Sequence, residues 1–217
     1  IIAYPHAKMS GVEVIGGISA VIGIVEASIN IYNNARKDIK LSETFKIVGC
    51  RLPIILNTLR SCKRHLEPVQ DSIPTDAREA LKEIIKACDQ KARKLREIYE
   101  KVIPGEKDTW EKRYRKIIKR LGNGNKVEEL MASVTHDVQL VVNHHAVKSA
   151  QPETNIELEN IIKEMKSLKS SVPEEESSGM TFNSGGGAME AYVSRDNGHI
   201  IVNRERIKSQ NFNYGKD

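Results

Sequence analysis

The sequence is poor in the residues that small, chemically self-sufficient folds rely on. Its 217 residues include three cysteines, one tryptophan and only 5% aromatic residues. Three cysteines cannot staple a chain of this length, and an odd count fits free thiols in a reducing compartment. Cys50, Cys62 and Cys88 form no CxxC pair and read as buried small hydrophobes. There is no GxxxxGK(S/T) or GxGxxG phosphate loop. Gly185-Gly186-Gly187 follows no strand and opens no helix, so it has little value as a nucleotide site. His136, His144 and His145 lack a Cys or carboxylate–His partner at ligand spacing, and adjacent histidines diverge by about 100° on a helix. Nucleophilic catalysis would need Cys62 or Cys88 beside His65 or His136 in space, and nothing in the sequence requires that. The expectation is a protein that is not an enzyme, with no catalytic residue, cofactor or metal.

Charge and helical periodicity are what the sequence does contain. Between Arg36 and Lys126, 24 basic residues stand against 13 acidic ones; from Val127 to Asp217 the balance reverses to 9 against 14. A basic middle could meet anionic lipid or nucleic acid. The plainer reading is that Lys, Arg and Glu solvate outer helix faces, and nucleic acid is the disfavoured partner.

Met9-Ser10 reads as a natural start, which sets residues 1–9 apart as upstream sequence and residues 10–170 as the folded unit. No basic segment leads into the first apolar stretch as a secretory signal requires. From Val12 to Tyr32, the residues Ile15, Ile18, Ile22, Val25 and Ile29 recur at spacings of three and four and predict one apolar helix face. Gly11, Gly16, Gly17 and Gly23 weaken that helix by roughly 1 kcal/mol each relative to alanine, and they admit close approach of another helix or a lipid. Glu13 and Glu26 bracket twelve uncharged residues, short of the roughly twenty a membrane span needs. Two readings stay open: a buried core helix, or conditional membrane insertion through that face.

A second helix is predicted from about Ser42 to Leu66, capped by Ser42, with Phe45, Val48, Leu52, Leu56 and Leu59 as its apolar series and Pro53 as a kink. Pro68 and Pro74 enclose a turn. The third helix begins at Asp76, carries Leu81, Ile84, Cys88, Ala92, Leu95, Tyr99 and Val102 among charged positions, and stops at Pro104-Gly105. A short basic helix follows from Thr109 to Leu121, striped by Trp110, Tyr114, Ile117 and Leu121. Gly122-Asn123-Gly124-Asn125 ends it. Val127, Leu130, Val134, Val138, Val141 and His145 mark a fifth helix; Ile156, Ile161, Met165 and Leu168 mark a sixth from Glu153 to Leu168. The fold class is all-α, a bundle of about six helices. A domain of that size hides roughly 70% of its extended-chain surface.

Residues 171–179 read as a linker. Residues 180–217 read as a glycine- and asparagine-bearing tail, disordered or β-prone. Asn197-Gly198 is a hairpin signal. A two-residue turn there pairs Val193 with Val202 but also Glu190 with Glu205, which is too little for an isolated ribbon. Any β-structure would need neighbouring chains, by cross-β stacking. The candidate assembly residues are Phe182, Asn183, Tyr192, Val193, Ile200, Ile201, Val202, Phe212 and Tyr214. Arg195, Arg204, Arg206 and Lys208 oppose in-register stacking.

Taken together, Met9–Gly16, Arg51-Leu52-Pro53-Ile54, Lys101-Val102-Ile103-Pro104, Trp110-Glu111-Lys112-Arg113-Tyr114, Leu121–Glu128 and Asp137-Val138-Gln139-Leu140 resemble the SesA-type N-terminal helical domain of fungal NACHT and other P-loop NTPase receptors. That group is related in role to the HeLo and HET-S domains. The resemblance covers roughly residues 10–170 and implies a non-enzymatic effector in heterokaryon incompatibility or programmed cell death, switched by tail-mediated oligomerisation. Phe182–Gly187 and Phe212–Gly215 look like degenerate copies of an amyloid-like repeat. The partners it implies are further copies of the chain and an NTPase receptor with a similar motif. On activation an anionic membrane joins them, with Ile15, Ile18, Ile22, Val25 and Ile29 inserting and the Trp110–Arg120 helix at the headgroups. The expected location before activation is cytoplasmic. The alternative is a helical adaptor that docks on an NTPase receptor without tail assembly.

Overall fold

A computed structural model of the chain describes residues 12–35, 41–103, 108–122, 124–147 and 152–172. The upstream residues, Pro104-Gly105, and the 180–217 tail with its assembly residues and hairpin lie outside the described residues. Those described form six α-helices and no strand: α1 (Val12–Ala35), α2 (Glu43–Leu66), α3 (Thr75–Val102), α4 (Trp110–Leu121), α5 (Val127–Asn143) and α6 (Pro152–Ser167), with a 3-10 helix at Glu67–Ser72. The all-α bundle expected from the sequence is present.

Local chemistry sets the helix ends. The Ser42 hydroxyl accepts the Phe45 N–H at 3.4 Å and starts α2; Thr109 accepts the Lys112 N–H at 3.5 Å and starts α4. Each satisfies one amide that a helix start leaves without a partner. Gly122 ends α4 with φ +85°, a conformation that disfavours any side chain, and its N–H bonds Ile118 O at 2.9 Å. α2 runs on through Pro53, and Pro68 falls inside the 3-10 helix.

Within the bundle α1 packs on α3 and α2, α3 also meets α5 and α4, and α5 meets α2 and α6 as well. The close α1–α3 crossing depends on Gly17, where an added Cβ would lie 2.8 Å from Cγ2 of Ile85. At one end of the bundle all the described aromatic side chains meet. Phe45 of α2 stands edge-on to Tyr99 of α3, Trp110 and Tyr114 of α4, with ring centroids 6.0, 5.7 and 4.8 Å apart. Tyr32 of α1 completes the cluster at 6.2 Å from Tyr99. Edge-to-face rings at these spacings add about 0.5–1.5 kcal/mol per pair beyond their buried area. The Tyr99 hydroxyl donates to Phe45 O and that of Tyr32 to Lys46 O. Burial pushes the Tyr99 phenol well above its ordinary pKa.

The α3–α5 seam holds a charge. Lys91 Nζ donates to both carboxylate oxygens of Asp137, at 2.9 and 2.7 Å, and the Asp137 side chain is only 7% exposed. Beside it, burial and the Asp137 carboxylate push the Cys88 thiol up to about 12.

Several sequence readings shift. Cys62 and Cys88 are buried, whereas Cys50 is exposed. In α3 the core takes Ile85 and Ile98, and Ile84 lies at the margin. In α6, Leu158 replaces Ile156 in the buried set, and Ile156 is 59% exposed. The apolar arc of each helix offers two candidates, Ile84 and Ile85 in α3 and Ile156 and Leu158 in α6, and the partner surface selects between them. Ser171 and Val172, read as the start of the linker, are packed on the bundle instead; Ser171 is 2% exposed.

Candidate functional site

Three surfaces stand out. The first is the outer side of α1. Val14, Ile18, Val21, Val25, Ser28 and Tyr32 face the core at alternating spacings of four and three. Of the five residues read as one face, Ile18 and Val25 are therefore buried, while Ile15, Ile22 and Ile29 sit half-buried on its rim. The opposite side presents Val12, Gly16, Ala20 and Gly23 to solvent, and an added Cβ at Gly16 or Gly23 would meet nothing within 4 Å. Val12–Asn34 is, by length and composition, apolar enough to cross a membrane, with a mean hydropathy of 1.9. Glu13 and Glu26, the charges that bracket its uncharged stretch, pair with Lys82 at 3.1 Å and Arg60 at 2.5 Å.

The second surface is α4, whose apolar stripe narrows in the structure to buried Tyr114 and Ile117 with Trp110 and Leu121 half-exposed. Lys112, Lys116 and Lys119 line its solvent side at helical spacing. Lys116 pairs with Asp108 at 2.8 Å and holds that carboxyl below its ordinary pKa; Arg120 pairs with Glu97. Lys112 and Lys119 form no ion pair among the described residues. Arg113 points inward instead, donating to Val102 O at 3.0 and 2.7 Å and so capping α3.

The third is the place where the chain leaves the bundle. Glu128, in the first turn of α5, is 6% exposed and has no cationic partner among the described residues. Its carboxylate accepts the Ser171 N–H at 3.0 Å and the Ser171 hydroxyl. That hydroxyl has one proton, so it accepts from Tyr114, whose phenol in turn accepts the Val127 N–H at 3.1 Å. The donors thus run in one direction, from an α5 amide through Tyr114 and Ser171 to the carboxylate, an arrangement in which each bond polarises the next. The N-terminus of α5 adds favourable dipole charge. Thr44 secures the same strap by donating to Lys169 O at 3.0 Å. No local spacing in the sequence signals this latch: Tyr114 and Glu128 lie in segments that carry the family resemblance, but their partner lies 43 residues beyond Glu128.

No group of His, Cys, Asp and Glu among the described residues is arranged to hold a metal. His136 and His145 are exposed. His144 stacks on His145 with centroids 4.5 Å apart, and burial together with that neighbour lowers its pKa.

These features define an all-α module whose distinctive parts are surfaces and a strap. The chain belongs to the SesA family, described as the N-terminal domain on NACHT NTPases and P-loop NTPases, whose pattern matches residues 18–141. That placement fits an NLR-type effector role and suggests an NTPase as partner. The match runs from within α1 to within α5, so α6 and the latched strap lie beyond it. No curated protein and no solved structure matches the chain.

Proposed function

We propose that this protein is a non-enzymatic signalling effector of an NLR-type system, acting in programmed cell death or heterokaryon incompatibility. One observation carries the reading beyond the family: a 23-residue apolar stretch of α1 turns a glycine–alanine side to solvent. Solubility gains nothing from that side, and the packing within the bundle does not use it. Assembly of several copies through residues 180–217 raises the local concentration of α1. Its apolar residues then exchange the core for hydrocarbon, which offsets the roughly 1.5–3 kcal/mol that each buried side chain gained by leaving water. Lys112, Lys116 and Lys119 meet anionic headgroups at about 1 kcal/mol each.

Leakage of anionic vesicles by tail-assembled full-length protein tests the reading. Release of a trapped dye, abolished by Ile22→Glu, is the expected result. Intact vesicles, or leakage that Ile22→Glu leaves unchanged, would remove the membrane step. The adaptor alternative differs in one respect: deletion of residues 179–217 leaves binding to an NTPase receptor intact, whereas the effector reading expects that binding to be lost.

A further inference from the structure

α6 lies on α5 and leaves an open trough between itself and α2. A hollow of about 750 Å³ is lined by Arg51 and Ile54 on one wall and by Glu153, Ile156, Glu157 and Glu164 on the other. It runs into a second hollow of about 260 Å³ that shares Ile54 and Glu157. Ile54, Ile156 and Ile161 supply the apolar part of the larger hollow; its α6 wall is acidic, with carboxylates at positions 153, 157 and 164 along one side of the helix. Arg51 neutralises one end through two bonds of 2.8 Å to Glu164. Glu153 and Glu157 form no ion pair among the described residues. Placed four apart, they repel each other along α6, yet the chain as a whole has a net charge of +5. An exposed isoleucine between carboxylates that no ion pair among the described residues engages is poorly placed for water and well placed for an amphipathic cation.

We infer that this trough is a docking site for a basic amphipathic α-helix of a partner protein. Both walls are helices and offer side chains at spacings of three and four, with no strand edge to satisfy an extended peptide's backbone. The α6 wall from Glu153 to Glu164 is about 16 Å long at 1.5 Å per residue, which sets the incoming helix at about three turns. Its apolar residues lie on Ile54 and Ile156. Its lysines or arginines lie at the Glu153–Glu157 end, because the other end already has Arg51. The site is independent of the membrane step and of residues 180–217.

A fluorescently labelled synthetic peptide with the sequence of residues 109–121 serves as the probe, since it is a basic amphipathic helix of the required length. Anisotropy against the full-length protein should show saturable binding that Ile156→Asp and Glu157→Lys each weaken at least tenfold. Leu140→Asp, at an exposed position on α5 outside the trough, should leave it unchanged. Both trough side chains are exposed, so the variants keep the wild-type melting profile; if one misfolds, the other still reads the site. A version of the peptide with its lysines and arginines replaced by glutamate should not bind. Absence of saturable binding, binding that survives both trough substitutions, or equal loss in Leu140→Asp would overturn the assignment.

Discussion

Helices α1 and α3 pack against each other but treat their outer faces in opposite ways. α3 turns Lys, Arg and Glu to water and ties some together, as in Arg93–Asp89 and Arg96–Glu100, each at 2.6 Å and four residues apart. α1 turns out Val12, Gly16, Ala20 and Gly23. In α3 the polar contrast between faces fixes its core side to within one residue and leaves its neighbours only the choice between Ile84 and Ile85. α1 has little contrast, so its orientation is set by what its neighbours admit: Gly17 against Ile85, and Tyr32 in the aromatic cluster. A helix held this way can change partners at lower cost than one held by its own amphipathicity.

The largest effect expected lies on the α3 side. Lys91→Ala leaves Asp137 buried without its cation and should cost about 3 kcal/mol, read as a lower urea midpoint at unchanged slope. At the α1–α3 contact, Gly17→Val overpacks Ile85 and should cost about 1–3 kcal/mol. The double variant with Ile85→Ala should recover part of that loss; strict additivity would show that the two residues do not share the crossing. At the strap, Ser171→Ala breaks the chain of donors to Glu128 and should cost about 1–2 kcal/mol, with faster amide exchange over residues 165–172.

On the outer side of α1 the sign reverses. Gly16→Ala and Gly23→Ala meet no neighbour and should each stabilise the protein by about 0.5–1 kcal/mol, while vesicle leakage falls. Stabilisation with undiminished leakage would show that the glycines serve no approach and would erase the functional contrast with α3. The smallest effect is a pH dependence. Arg51 holds the Glu164 carboxyl below its ordinary pKa of 4.5. The unfolded chain then binds its proton more readily, so this contribution is complete above the ordinary value and is lost as pH falls through the folded one. Both side chains are partly exposed, which limits the effect to about 0.3 kcal/mol. Acid melting curves should become shallower in Glu164→Gln.

Much of the fold was legible because helix signals are local. Ser42 and Thr109 sit where their hydroxyls cap, Gly122 where a left-handed residue must end a helix, and the charge contrast of α3 places its core side within one residue. The rim of α1 and the outward turn of Ile156 were not legible, since an apolar arc wider than the contact leaves its orientation to the neighbours. The candidate surfaces divide in the same way. The basic residues of α4 are plain in the sequence, but that Arg113 turns inward while Lys112, Lys116 and Lys119 face out depends on where α3 ends.

The sequence by itself determined six helices, the caps of α2 and α4 and the basic character of the middle of the chain, because these depend on residues within about four positions of one another. Tertiary structure alone decided that the five described aromatic rings converge, that the Glu128 carboxylate is satisfied by Ser171, and that α6 leaves an acidic trough beside α2. Each of those joins residues far apart in the chain, so the packing of the helices, rather than any local spacing, brings them together.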